Sequence, residues 1–296
     1  MIKNIIKILI KWFYNFFNSL QSLLKIGLFS SFMPTYKKDI KSSDKHCYIL
    51  GNGPSLKETT NKKNDWKNEK DVFVVNDFVL SDQFEIIQPT YYVLVDPGYW
   101  VTKTFPEMIQ LRNKVFQFLN EKTTWEITLF ISKQAYQTGI FQNKINNKFI
   151  QIKFFNTTEV KGFSRFEFFC YAYNLGMPVL QNVMVAAIYL AINLQYKEIN
   201  ILGAEHSWLK TIMVNNQNKV CQINDHFYDK EEVAANVWLK FSGEPYLLHE
   251  VLIDLSKMFF AYHKLNDYAL HKSTKIYNLT KGSYIDAFEK KQDLNK

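Results

Sequence analysis

The sequence is poor in the residues that build disulfide frameworks and metal sites. Its 296 residues include three cysteines, Cys47, Cys170 and Cys221, with no Cys-x-x-Cys spacing. An odd, scattered set of cysteines argues against a disulfide-stabilised or zinc-bound fold and for a reducing compartment. His-x-His, His-Glu-x-x-His and Asp-x-Asp spacings are also missing, so the sequence predicts no metal site.

Acidic residues are missing from the first 38 positions, which carry six lysines and so hold six of the eight net positive charges. The remainder of the chain is close to neutral, which argues against a nucleic-acid-binding body. Within residues 1–33 the lysines recur near helical spacing among Ile, Leu, Phe and Trp, and the longest uncharged run is too short to span a bilayer. No small-x-small cleavage site marks a secretory signal.

These features predict an N-terminal amphipathic helix over residues 1–33 that lies on a membrane surface, with lysines toward anionic headgroups. The alternative is a helix packed on the protein's own body or on a partner. The polar residues 34–45 are predicted to be a linker, and residues 46–296 a single domain.

Short apolar segments with strand composition alternate with helical segments from residue 46 onward. The predicted strands are 47–50, 71–75, 91–95, 127–131, 150–155, 198–202 and 275–279. Nearly continuous apolar strands separated by helices predict an α/β, Rossmann-like fold, in which helices cover both faces of a mainly parallel sheet. Further predictions are helices over 179–194 and 248–270, a hairpin or mobile loop at 213–221, and a short helix that closes the chain.

Polar turns follow most of the predicted strands. The first strand leads into Gly51-Asn52-Gly53-Pro54-Ser55, whose glycines can take positive φ and whose helix start favours a phosphate. Asn76 and Asp96 follow the next two strands, and Gly203-Ala204-Glu205-His206-Ser207 follows a later one. Because parallel strands end at one edge of a sheet, we expect a ligand-binding rim there; ordinary turn chemistry is the alternative. Gln181 and Asn182 either cap the helix that follows or hold a ribose or base.

Histidines and carboxylates recur between residues 205 and 249. His226 lies within Asp-His-Phe-Tyr-Asp, where carboxylates could orient an imidazole as a general base. His206 and His249 are the other candidates. We predict that residues 205–247 form a lid over the site.

Several of these motifs occur together in one enzyme group. GNGPSL at 51–56, Asn76, Asp96-Pro97, Gln181-Asn182, the YKEINILG segment at 196–203 and KIYN at 275–278 span about residues 46–289. In this order they resemble the bacterial lipooligosaccharide sialyltransferases of glycosyltransferase family forty-two and the related MptE-like proteins. The resemblance implies a Rossmann-like, GT-A-like domain, a CMP-linked sugar donor, inversion at the anomeric carbon, and neither metal nor further cofactor.

The resemblance also implies roles for particular residues. Catalytic roles fall to His226, His249 and His206. The donor would be bound by Gly51, Asn52, Gly53, Ser55, Asn76, Asp96, Gln181, Asn182, Gly203, Glu205, Ser207 and Tyr228. The chain departs from the family where Gly-x-Asp-Phe-Tyr becomes Gly203-Ala204-Glu205-His206-Ser207, which leaves the donor sugar open among sialic acid, Kdo and other sugars.

The resulting expectation is a metal-independent inverting glycosyltransferase that acts on a glycan or glycolipid acceptor in bacterial lipooligosaccharide or capsule synthesis. We expect it to be cytoplasmic and peripheral on the inner face of the cell membrane, with homo-oligomerisation left open and no nucleic-acid partner. The alternatives are a pterin diphosphokinase that uses ATP and magnesium, and a non-catalytic membrane-surface module of a polysaccharide assembly complex.

Overall fold

A parallel sheet organises the part of the chain that the computed structural model describes, which is residues 2–32, 46–62, 66, 71–222, 236–240 and 243–291. The predicted linker at 34–45 lies outside these ranges. Within them the strands are β1 (His46–Leu50), β2 (Val72–Val75), β3 (Tyr91–Leu94), β4 (Ile127–Ser132), β5 (Ile150–Phe155), β6 (Glu198–Leu202), β7 (Ile212–Val214), β8 (Val220–Gln222), β9 (Asn236–Val237), β10 (Lys275–Asn278) and β11 (Glu289–Lys290). The helices are α1 (Ile2–Phe29), α2 (Ser55–Lys62), α3 (Gln83–Ile87), α4 (Pro106–Lys122), α5 (Lys133–Gln137), α6 (Ile140–Lys144), α7 (Ser164–Ala172), α8 (Val183–Asn193) and α9 (Leu248–His271).

The order of the strands places a switch point beside the first one. The described strands of the main sheet run β11-β10-β6-β1-β2-β3-β4-β5, and every neighbouring pair is parallel. The chain therefore moves outward from β1 to β5 and then returns to β6 on the other side of β1. Ligands of such sheets bind beyond the carboxyl ends of the strands near this reversal. The predicted α/β fold with a mainly parallel sheet is confirmed, and all seven predicted strands are present.

Alternation of side chains along the strands explains why both faces are covered. Ile49, Phe73 and Val93 point to one face, where they pack with the buried helix α8 and with α9. Leu50 and Val74 point to the other face and belong to a second buried cluster, which includes residues of α4. Strands that are apolar on both faces need helices on both faces, as this sheet has.

Helix α1 joins the body only along one strip of its surface. Ile26 is buried in the core, and the buried Ser22 bonds twice to Lys161: its Oγ donates to the carbonyl at 2.8 Å and accepts from the N–H at 2.9 Å. Packing on the protein's own body is thus part of what this helix does. None of the described helices is long and apolar enough to cross a membrane.

Two predicted helices differ in the structure. The closing segment is extended rather than helical: Ser283, Ile285 and Ala287 are buried at alternate positions, and Glu289–Lys290 pairs with β10. Alternate burial suits a strand-like path, and a helix would expose part of that set. The helix predicted from 179 begins only at 183, because the extended Asn182 caps it and its side chain accepts from the Met184 N–H.

The segment at 213–221 forms a hairpin, the first of its two predicted forms. Strands β7 and β8 pair antiparallel with Val214 opposite Val220, and β9 pairs with β8. These strands form a small second sheet after β6.

Candidate functional site

A cavity of about 660 Å³ lies at the carboxyl ends of β2 to β5, near the switch point of the sheet. This volume falls in the range of about 300–1,000 Å³ that small-molecule sites occupy. Its polar lining consists of Asn76, Asp96, Ser132, Gln134, Thr157, Glu159, Gln181, Asn182 and Asp254. Its apolar lining consists of Val95, Pro97, Trp100, Val179, Leu180, Val183, Trp208, Trp238, Tyr246, Val251, Leu255 and Met258.

The sheet supplies the floor of the cavity. Asn76 follows β2, Asp96 follows β3, Ser132 ends β4 and Thr157 follows β5. Four neighbouring parallel strands therefore each present a polar group at the same edge, as the sequence predicted for the first two of them. The N-terminus of α8, with Asn182 and Val183, opens on the same space and carries the positive end of a helix dipole.

Aromatic side chains cover the cavity. Trp208 follows β6, Trp238 follows β9, and Tyr246 precedes α9; the last two rings lie 6.3 Å apart. All three belong to the predicted lid at 205–247, and Trp100 joins them from the loop after β3. Flat aromatic faces of this kind bind the faces of sugar rings and nucleobases.

Trp208 is held in place from behind. The His206 ring stacks on the Trp208 ring, with centroids 4.6 Å apart and planes 22° apart, and Tyr262 lies on the far side of His206. The Tyr262 hydroxyl is 3.3 Å from His206 Nδ1. Burial lowers the pKa of His206 to about 4, so the ring is neutral at physiological pH. His206 does not line the cavity, and its position is that of a support for the tryptophan.

Three carboxylates face the cavity, and two of them are already engaged. Glu159 forms an ion pair with Lys161 at 2.8 Å. Asp254 accepts from Gln181 Nε2 at 3.0 Å and pairs with Lys257 at 3.2 Å. No lysine, arginine or histidine of the described residues lines the cavity, which makes its lining acidic.

Asp96 differs from the other two carboxylates. Its Oδ1 accepts from the Gly98 N–H at 2.8 Å, and no cation among the described residues pairs with it. Burial raises the pKa of Asp96, and the hydrogen bond from Gly98 opposes that rise. A half-buried carboxylate without a counter-ion is a stronger proton acceptor than an exposed one.

Two buried polar atoms of the lining residues have no hydrogen-bond partner in the described part of the chain: Asn76 Oδ1 and Trp100 Nε1. Asn76 adopts a left-handed conformation, φ 52°, fixed by a bond from its N–H to the Val93 carbonyl and one from the Tyr92 hydroxyl to its own carbonyl. Asparagine tolerates this conformation better than most residues. Unpaired buried polar groups are costly, so a ligand that bonds to them removes that cost.

The glycine turn after β1 is built differently from the expectation. Gly51 and Gly53 do not adopt positive φ, whereas Gly203 does, at 64°. The two glycines are needed for close contact: a Cβ at Gly51 would lie 2.4 Å from the Gly203 carbonyl oxygen, and one at Gly53 1.6 Å from Glu205 Oε2. The expectation of positive φ at Gly51 and Gly53 is wrong, because packing against the segment after β6 decides their identity.

The backbone donors of this turn are also occupied. The Gly51 N–H donates to the Leu202 carbonyl and the Gly53 N–H to the Gly203 carbonyl, both at 2.8 Å. The Ser55 N–H, at the start of α2, donates to Glu205 Oε1 at 2.7 Å. Glu205 therefore holds the place at the helix start that the sequence assigned to a phosphate.

The predicted site residues fall into three groups. Asn76, Asp96, Gln181 and Asn182 lie together in the cavity. The residues that do not line it are Gly51, Asn52, Gly53, Ser55, Gly203, Glu205, His206, Ser207 and the exposed His249. His226 and Tyr228 lie outside the described residues.

Other lining residues were not predicted. Asp254, which the sequence presents as an exposed polar position of an amphipathic helix, faces the cavity. Trp100, Ser132, Gln134, Thr157, Glu159, Trp208, Trp238 and Tyr246 were also missed. Ser132 directly follows a predicted strand, so the rule that identified Asn76 and Asp96 would have found it, whereas Thr157 lies one residue further along, after Asn156. Among the described residues, no group of three or more His, Cys, Asp or Glu could hold a metal ion.

Comparison with protein-family models finds no family that matches the chain. Comparison with curated protein sequences finds no match either.

Proposed function

We propose that the chain is a glycosyltransferase, a GT-A-like variant of the Rossmann architecture, that moves a sugar from a nucleotide donor to a glycan acceptor. The observation that carries this proposal is the cavity at the carboxyl rim of the sheet, with three tryptophans and a tyrosine above a floor of amides and carboxylates. Aromatic faces provide stacking surfaces, and Asn76, Gln181 and Asn182 provide directional hydrogen bonds. Both are what recognition of a sugar and a nucleobase requires.

The charge of the lining favours a donor with a single phosphate. No basic residue of the described chain lines the cavity, so the N-terminus of α8 is its main positive feature. A sugar linked to CMP carries one phosphate, whereas sugars linked to UDP or GDP carry two. The acidic lining disfavours the second phosphate, which agrees with the donor class that the sequence resemblance implies.

Asp96 is the base in this proposal. An inverting transfer requires that the acceptor hydroxyl lose its proton as its oxygen attacks the anomeric carbon and the bond to the donor phosphate breaks. The carboxylate of Asp96 accepts that proton, and its raised pKa brings its proton affinity closer to neutral pH. Helix α8 stabilises the departing phosphate through its dipole. Of the three predicted histidines, only His226 lies outside the described residues, and it is tested beside Asp96.

Nucleotide binding is the first test. Unfolding of the full chain is measured by thermal shift with CMP, CDP, UDP, GDP or ATP, each with and without magnesium. We expect stabilisation by CMP without magnesium, because ligand at 100 times its Kd adds about 2.7 kcal/mol to the free energy of unfolding. Trp208→Ala should abolish the shift, whereas Leu209→Ala, a neighbouring exposed residue, should keep it. Stabilisation only by ATP with magnesium would support the diphosphokinase, and no stabilisation by any nucleotide would support the non-catalytic module.

The second test concerns the base. In Asp96→Asn the amide oxygen can still accept the hydrogen bond from the Gly98 N–H, but the side chain can no longer act as a base. The rate of CMP release from a CMP-sugar in the presence of a glycan acceptor should therefore fall by about 10²–10⁴. Because burial raises the pKa of Asp96, ionisation of this group costs the folded state stability as pH rises above about 4. Asp96→Asn should therefore unfold no more easily than the unaltered chain at pH 7.

His226→Ala is the parallel variant. If it lowers turnover by the same factor and Asp96→Asn leaves turnover unchanged, Asp96 is not the base, although the transfer reaction itself still holds.

A further inference from the structure

The N-terminal helix is mounted on the body with its apolar side outward. The least exposed of its described residues are Asn15, Asn18, Ser19, Ser22, Lys25 and Ile26, which recur at helical spacing and are mostly polar. Phe13, Phe16, Phe17, Leu20 and Leu24 occupy the opposite side and are exposed. A helix that packs on a soluble protein buries its apolar stripe; this one instead turns a mostly polar strip toward the body, in which only Ser22 and Ile26 are fully buried.

The polar strip is a specific contact rather than a loose one. Ser19 Oγ accepts from the Phe163 N–H at 3.2 Å, and Ser22 forms the pair of bonds to Lys161. A Cβ at Gly162 would lie 2.0 Å from Ser19 Oγ, so the helix and the backbone of this segment are in close contact. Just after α1, the Ser31 N–H donates to Asn156 Oδ1 at 3.0 Å, and Asn156 Nδ2 donates to the Ser31 carbonyl at 2.7 Å. The orientation of α1 is thus fixed, and its apolar side is held away from the body.

The charges of α1 indicate what covers the apolar side. Lys3, Lys7 and Lys11 are exposed, and the helix contains no acidic residue. Lysines beside a stripe of Phe, Leu and Ile match an anionic lipid surface, where the rings enter the acyl boundary and the ammonium groups meet the headgroups. A protein partner would have to supply an apolar groove along a helix of 28 residues, about 42 Å long.

We propose that the outward face of α1 is a membrane-docking surface that binds anionic bilayers through one side while its polar side stays bonded to the body. This proposal does not depend on the reaction that the cavity performs.

The segment that contacts α1, residues 156–161, also lines the cavity. Residues 156–161 alternate: Asn156, Thr158 and Lys161 bond to α1 or to the turn that follows it, whereas Thr157 and Glu159 line the cavity. The membrane surface is therefore separated from the cavity by helix α1 and one backbone segment. A site placed in this way suits an acceptor that is itself anchored in the same bilayer.

The test measures how much of the full chain sediments with lipid vesicles. One set of vesicles is neutral phosphatidylcholine, and the other is phosphatidylcholine with one quarter phosphatidylglycerol. The triple variant Phe17→Ser, Leu20→Ser, Leu24→Ser removes apolar surface from the outward face. The matched control Phe169→Ser, Leu252→Ser, Leu270→Ser removes the same residue types from the body, and all six side chains are between 46% and 64% exposed. We expect the first variant to lose at least ten-fold in vesicle binding and the control to bind like the unaltered chain.

Lysine variants test the electrostatic part. Each of Lys3→Gln, Lys7→Gln and Lys11→Gln should weaken binding to anionic vesicles about fivefold, the ratio that corresponds to about 1 kcal/mol per basic residue, and leave binding to neutral vesicles unchanged. Equal losses in the outward and control triple variants would overturn the proposal, as would no binding to either vesicle. If the unaltered chain is a dimer by light scattering, and the outward triple variant is a monomer while no vesicle binding is seen, the face is covered by a second copy instead.

Discussion

Gly53 shows how one residue can be dictated by a contact far away in sequence. A Cβ there would meet Glu205 Oε2 at 1.6 Å and the Gly203 carbonyl oxygen at 2.6 Å. The clash forces apart the ends of β1 and β6, which the bond from the Ser55 N–H to Glu205 holds together.

Gly53→Ala should therefore lower the free energy of unfolding by about 1–3 kcal/mol, the usual cost of overpacking, in a denaturant titration. Gly27→Ala is the control, because no atom lies within 4 Å of its Cβ and alanine is favoured in a helix. Gly53→Ala combined with Glu205→Ala should recover part of the loss, since one of the two clashing groups is then gone. A loss at Gly27 as large as that at Gly53 would contradict the steric explanation.

His206 makes stability depend on pH. The pKa of His206 is lowered to about 4 by burial, whereas a histidine in the unfolded chain titrates near about 6.5. Between these values the unfolded state binds more protons, so the free energy of unfolding falls as pH drops from about 6.5 to about 4, by up to about 3 kcal/mol from this residue.

Comparison of pH 7 with pH 4.5 in denaturant titrations checks this. His206→Asn removes the titrating group, and asparagine tolerates the φ of 50° at this position. The variant should lose less stability over that interval than the unaltered chain. An equal loss in both would mean that His206 is not the group responsible.

Among the elements, α1 is attached by hydrogen bonds more than by apolar packing. Ser22→Ala removes two part-buried hydrogen bonds to the backbone of Lys161, each of which contributes about 0.5–1.5 kcal/mol. Hydrogen exchange should then become faster in residues 156–163 and in the C-terminal half of α1, with the main sheet unaffected. Gln21→Ala, at a neighbouring exposed position, should leave exchange as it is. Unchanged exchange in the Ser22 variant would show that the strip of serines does not hold the helix.

Helix α9 shows what periodicity in a sequence can and cannot reveal. Its apolar spacing correctly predicts an amphipathic helix at 248–270, with Met258 and Tyr262 buried. The same pattern makes Asp254 appear to be a solvated position. Its side chain faces the cavity because the loop at 179–182 and the aromatic residues after β6 and β9 stand opposite it. Those elements come from distant parts of the chain, so the local pattern of α9 cannot predict that they face Asp254.

For the whole molecule, the sheet could be predicted and the site only in part. Each of the seven predicted strands contains a run of apolar residues, which β11 lacks. The polar residue that follows a strand must lie at the common edge, which identifies Asn76 and Asp96. The glycine turn misled for a physical reason: its N–H groups find acceptors at 202, 203 and 205, about 150 positions away. Trp238 and Tyr246 line the cavity because of tertiary contacts that no local sequence pattern encodes.

The polar strip of α1 also sets the order in which parts of the molecule can assemble. Ser22 and its partner Lys161 are 139 positions apart. At a synthesis rate of about 5–20 residues per second, α1 exists for roughly 7–28 s before the segment that receives it has been made. Throughout that interval the helix presents its aromatic side to the surroundings with no body to hold it. A bilayer that adsorbs it early would then serve as the surface on which the remainder of the chain folds, so that attachment precedes the assembly of the domain.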